Sequence, residues 1–103
     1  MVDTGASCTC IDPSVFQALG ITPSGTTSMH TPSTGGNAVP AYTYDVQIII
    51  PNGNQLPFSA PNIAVTGAQL LAGQGFHALI GRDILSRCIL QYNGATQLFS
   101  LAY

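Results

Sequence analysis

The sequence predicts an all-β domain, and three observations predict it. Thr, Val, Ile, Tyr and Phe recur in short runs, as β-strands favour. Gly, Pro and Asn interrupt those runs where tight turns would fall. Charged residues make up 6% of the chain against 46% hydrophobic ones, enough apolar material to offset the ordering entropy of folding. At 103 residues the chain is a single domain, 1–103, with one core and no room for a second lobe.

Val2-Asp3 reads as the end of a strand and "SCTCI" (7–11) as the next. "DPSVFQALG" carries helix punctuation: Asp12 as N-cap, Pro13 at the first helical position and Gly20 as the stop. "TTSMHT" and "AVPAYTYDVQIII" are two strands joined by "PSTGGN" (32–37), where Gly35-Gly36 can take the positive φ angles of a hairpin tip. "PNGN" (51–54) is a second turn, leading to a strand near "QLPFSA". Residues 67–77 read as a loop. "HALI" is an apolar strand running into Gly81, "RDILSRC" a short helix, and "CILQY" and "TQLFSLAY" strands about Asn93-Gly94.

Composition excludes several functions. A net charge of −2 with only two arginines, Arg82 and Arg87, leaves no basic patch for nucleic acid. No apolar run approaches the roughly 18 residues of a membrane-spanning helix, and no signal-peptide pattern is visible. The three cysteines cannot all pair within one chain, which favours reduced thiols but fixes no compartment. So few charges make self-association a reasonable expectation.

Asp3-Thr4-Gly5 is the stretch with chemical content. A carboxylate at a strand end, followed by a hydroxyl residue and glycine, sits on a compact loop whose N–H groups can orient it. One such acid does not readily hydrolyse a peptide bond. Two brought face to face share a proton, so that one acts as base on a water and the other as acid toward the substrate. Asp12, Asp45 and Asp83 are not followed by Thr-Gly or Ser-Gly. The second acid must then come from a second copy across a two-fold axis.

Asp3-Thr4-Gly5-Ala6-Ser7, the glycine-tipped hairpin and "ALIGRDIL" (78–85) together resemble the retropepsin-like aspartic proteases. The likeness covers nearly the whole chain. It implies a closed or partly open β-barrel with a flap hairpin and one or two short helices, forming a two-fold homodimer. It also implies an aspartic endopeptidase acting on extended peptides, with no metal or organic cofactor. Asp3 would be the catalytic aspartate, Thr4 would hydrogen-bond across the dimer axis, and Gly5 would let the substrate backbone approach. Gly35 and Gly36 would sit in the flap. Ala6 would border the substrate, as would Leu79 or Ile80, and Gly81, Arg82 and Asp83 would order the loop and helix behind the site. Related enzymes carry Ala or Ser at the position of Ala6, and a serine hydroxyl would stabilise the charged dyad. Ala6 therefore implies a less extreme acidic optimum.

Two departures qualify the likeness. Family members place a full strand before the aspartate, whereas only Met1 and Val2 precede it here, against about five residues for an ordinary strand. The expectation is a domain lacking its N-terminal strand, with dimer stability in question. Arg82 also lacks the usual acidic partner soon after the aspartate loop, leaving Asp12, loop carbonyls and Asp83 as candidates. The alternative function is a peptide-binding or dimerisation module that does not cut. A thiol or zinc protein using Cys8, Cys10, Cys88 and His30 is a weaker alternative, because zinc pairs are usually spaced Cys-x₂₋₄-Cys. Cys8 and Cys10, two apart, face one side of a strand and read better as small pocket-lining side chains beside Ala6.

Overall fold

The computed structural model describes residues 1–30 and 35–103. The chain is mostly β. Strand β1 (Cys10–Ile11) leads into helix α1 (Pro13–Leu19), followed by β2 (Gly25–Met29), β3 (Val39–Asn52) and β4 (Gln55–Gly67). A 3-10 turn (Ala72–Gln74), β5 (Ala78–Leu79), α2 (Arg82–Leu85), β6 (Ile89–Asn93) and β7 (Leu98–Ala102) complete it.

Five strands form one sheet in the order β2-β3-β4-β1-β5, and β6 pairs only with β7. Of the closed or partly open barrel expected, closure is corrected: among the described residues the sheet does not close on itself. Its outer strands β2 and β5 do not meet, and β5 is two residues long because Gly81 and α2 follow almost at once. The strand expected over 7–11 is likewise reduced to Cys10–Ile11. Residues 3–9 instead build a loop and its anchor, described below.

The helix punctuation is borne out. Asp12 caps α1 by accepting from the Ser14 N–H, Pro13 opens it, and Gly20 closes it at φ 69°. The two-residue turn Gly53-Asn54 follows the Asn52↔Gln55 pair. The long hairpin of β2 and β3 pairs antiparallel from Gly25↔Thr43 to Met29↔Val39. At its tip Gly35 and Gly36 take φ 66° and 80°; residues 32–34 of the expected turn, and residue 31 of the strand expected before it, lie outside the described residues.

β4 is longer than the sequence implies and carries Pro57 and Pro61 in its interior. Both fall where the β3–β4 register shifts, between Ile50 and Asn52 and between Val46 and Ile48. At a bulge a proline forfeits no ladder bond, so a central strand can hold it.

The core lies between the sheet and the two helices. Phe16 of α1 stacks on Tyr44 of β3, with ring centroids 3.6 Å apart and planes 11° from parallel. Phe58, Ala60, Ile63 and Val65 of β4 and Ile84 of α2 complete it. Gly67 permits the stack, since a Cβ there would lie 3.0 Å from the Tyr44 ring. Among the described residues no helix is long and apolar enough to cross a membrane.

Candidate active site

Asp3 lies where the first residues meet a segment from near the other end of the sequence. Val2 bridges in parallel to Ile80, and the Asp3 N–H donates to the Ile80 carbonyl at 2.9 Å. The chain then turns sharply. The Gly5 N–H donates to Asp3 Oδ1 at 2.9 Å and the Ala6 N–H to the Asp3 carbonyl at 3.2 Å. A Cβ at Gly5 would sit 3.2 Å from Asp3 Oδ1, so glycine leaves this carboxylate–amide contact uncrowded. Asp3 is half-buried, while Thr4 and Gly5 are exposed.

The loop is held from behind by Gly81, Arg82 and Asp83. A Cβ on the buried Gly81 would fall 2.5 Å from both C and O of Cys8, which no side chain tolerates. Arg82 donates from Nη1 to the Thr4 carbonyl at 2.9 Å and from its backbone N–H to the Ala6 carbonyl at 2.9 Å. Of its candidate partners, the loop carbonyl is the one it binds. Asp83 accepts from the Thr9 N–H at 2.9 Å and from the Thr9 hydroxyl at 2.7 Å. Thr9 Oγ1 in turn accepts the Gly81 N–H at 3.1 Å. Both motifs thus close on Thr9, a fully buried residue.

Asp3 opens onto a cleft of about 980 Å³. Gly5 and Ala6 border it beside Asp3, and Cys8, Cys10, Thr66, Leu70 and Leu79 form apolar or weakly polar walls. Thr27, Ser28, Met29 and His30 face it from the long hairpin. Among the described residues, Asp3 and His30 are the only Asp, Glu, His, Lys or Arg side chains along its lining. Leu79 faces the cleft, whereas Ile80 packs against the core. Gly35 and Gly36 lie at the hairpin tip, exposed and away from the cleft lining. Thr4 and Arg82 border a smaller hollow of about 290 Å³ with Leu85, Ser86, Cys88 and Leu90.

A family model described as aspartyl protease matches residues 1–84. The chain belongs to the aspartyl protease family. No curated protein matches it.

The match spans the aspartate loop, the long hairpin, the cleft walls and most of α2, so the chain carries both sequence motifs within one family segment. Two roles in its scaffold escaped sequence reasoning, that of Thr9 and a second one of Asp12. Thr9 left one signal, a β-branched hydroxyl residue alternating with two cysteines, and its partner Asp83 lies 74 positions away. Asp12 does more than cap α1. Its Oδ2 accepts the Leu70 N–H at 3.0 Å, which fixes a wall of the cleft. The N–H groups of Leu70 and Ser14 hold the Asp12 carboxyl below its usual range, favouring the charged form. Among the described residues no cluster of three or more His, Cys, Asp or Glu is arranged to hold a metal ion.

Proposed function

We propose that this aspartyl protease is a homodimeric aspartic endopeptidase whose site takes one Asp3 from each chain. The observation that carries the reading is the Asp3 loop itself. Its carboxylate faces the large cleft, accepts the Gly5 N–H, and is braced through Thr4 and Ala6 by Arg82.

The other acids support a two-chain site. Asp12 caps α1, Asp83 binds Thr9, and Asp45 is exposed on β3. None of them borders the cleft, so a carboxylate pair requires a second copy. An exposed Thr4 suits a contact across the two-fold axis. The sheet of β6 and β7, which leaves Ile89, Tyr92, Leu98 and Phe99 exposed, supplies apolar surface for the partner.

In this reading the two aspartates share one proton and titrate as a unit. The ionised member takes a proton from a water, which attacks the scissile carbonyl, and the protonated member donates toward the substrate. The leaving nitrogen then receives a proton, and no acyl-enzyme forms. The substrate lies extended under the hairpin of β2 and β3, with Gly35 and Gly36 allowing its tip to close and exclude water. Ala6 and Leu79 border the central side chains, and Ile80 backs the loop from the core. With no Lys or Arg along the cleft, apolar or uncharged side chains are preferred beside the cut.

The test is cleavage of a denatured protein at about pH 4–6, the range where a shared-proton dyad works, with and without a statine-type peptide inhibitor. Cleavage blocked by the inhibitor and lost in Asp3→Asn is the expected result. Cleavage that survives Asp3→Asn removes the dyad. Inhibitor binding without any cleavage favours a peptide-binding module.

A further inference from the structure

Two of the three thiols in this chain share the cleft with Asp3. Cys8 and Cys10 are both unpaired and half-buried, and both line it. Cys8 lies at a bend and Cys10 opens β1, yet both side chains reach the same cleft and the Cys8 thiol is a direct neighbour of the Cys10 thiol. Cys10 Sγ donates to the Cys8 carbonyl at 3.9 Å, and Cys8 Sγ lies 3.8 Å from Thr66 Oγ1. Thr66 stands opposite Cys10 across the β1–β4 pair, which keeps both sulfurs over one patch of sheet. The third thiol, on Cys88, donates to the Ile84 carbonyl and borders the separate hollow by Arg82.

We infer that Cys8 and Cys10 form a dithiol site in the cleft that chelates a soft, thiophilic centre with two adjacent open valences, such as trivalent arsenic. Two sulfurs without a third ligand among the described residues do not complete a tetrahedral zinc site. They do satisfy a centre that needs only two thiolates. With phenylarsine oxide the step balances without an oxidant. The Cys8 thiol adds across As=O to give an As–S bond and an As–OH. The Cys10 thiol then displaces that hydroxyl, its proton leaving with the oxygen as water, and arsenic stays trivalent throughout.

The second bond forms within one molecule, so the chelate outlasts any single As–S bond. Burial, then the neighbouring Cys8 thiol, then Asp83 and Asp3 push the Cys10 thiol up to about 11. Cys10 alone is thus a weak nucleophile near neutral pH and reacts chiefly through its pairing with Cys8. Seated there, the chelate fills the cleft between Ala6 and Leu79. That this blocks peptide cleavage rests on the proposed function above; the chelate itself does not.

The whole chain is treated with phenylarsine oxide in excess monothiol and followed by intact mass, then by maleimide labelling of remaining thiols. The expected result is one arsenical per chain, Cys8 and Cys10 protected, Cys88 labelled, and release by 2,3-dimercaptopropanol. Cys8→Ala and Cys10→Ala each lower retention by at least about tenfold, while Cys88→Ala retains it. Wild-type chain that loses the arsenical to monothiol overturns the site, as does full retention in either single cleft variant. A retained chelate that leaves cleavage unimpaired supports the dithiol site and counts against the cleft as the peptide groove.

Discussion

The aspartate loop and the β6–β7 hairpin are opposite solutions to holding a short segment in place. The loop has little apolar burial of its own, yet Gly81, Arg82, Asp83 and Thr9 fix it through five hydrogen bonds and one backbone contact too close for a side chain. The hairpin pairs only with itself and leaves Ile89, Tyr92, Leu98 and Phe99 in solvent. One tie to the main sheet runs through Tyr103, whose hydroxyl donates to the Leu56 carbonyl at 2.7 Å and whose ring meets Phe58 edge-on. Polar over-determination marks the place where a carboxylate must not move. The exposed apolar surface of the hairpin is where the proposed partner chain would be met.

The largest effect belongs to Gly81. Gly81→Val drives a side chain into the Cys8 backbone, and stability falls by about 3 kcal/mol or more in urea unfolding. A loss under about 1 kcal/mol would mean that the close approach relaxes easily. Next comes Asp83→Ala, which strips the buried Thr9 of its acceptor and costs about 1–3 kcal/mol. Thr9→Val, which also orphans the Gly81 N–H, couples to it in a double-mutant cycle rather than adding. Strict additivity would show that the two residues act separately.

The hairpin answers differently. Replacing Leu98 and Phe99 together by Ser leaves each chain folded, because neither side chain belongs to the core. If the proposed dimer is built on this face, its dissociation constant rises by at least about tenfold in sedimentation equilibrium. An unchanged constant moves the interface to another face.

Smaller effects concern titration. The folded-state pKa of Asp12 is depressed, so its contribution to stability is present above the unfolded value and fades as pH falls through the folded one. Wild-type Tm should therefore drop more steeply than that of Asp12→Asn on acidification from neutral to about pH 3. Parallel curves would mean that the Leu70 and Ser14 contacts do not favour the charged carboxylate. Ala6→Ser, by adding a donor beside the proposed dyad, should move the optimum of any cleavage toward acid. An unmoved optimum would place position 6 out of reach of the aspartates.

Local signals in the sequence read well where one residue imposes one geometry. Asp12, Pro13 and Gly20 bound α1 as expected, and Gly53 sits in the turn expected of it at φ 56°. Sheet closure was not legible in the same way, because it depends on whether edge strands are long enough to meet, and β5 stops after Leu79. The length of β4 was hidden by Pro57 and Pro61, which discourage a central strand unless a bulge receives them. At the site, the glycine and aspartate motifs stand out in the sequence. The Thr9 anchor does not, since its meaning appears only when residues 9 and 83 are brought together by the fold.

In the proposed dimer each working site takes one Asp3 from each of two chains. Wild-type and Asp3→Asn chains are mixed, allowed to exchange, and assayed for cleavage at fixed total protein. If a site needs both aspartates, an equal mixture retains about one quarter of the wild-type activity, because only wild-type pairs cut. Retention of about one half, if each chain cuts alone, or about three quarters, if a mixed pair cuts like a wild-type pair, would show that a single Asp3 suffices and would contradict the shared dyad.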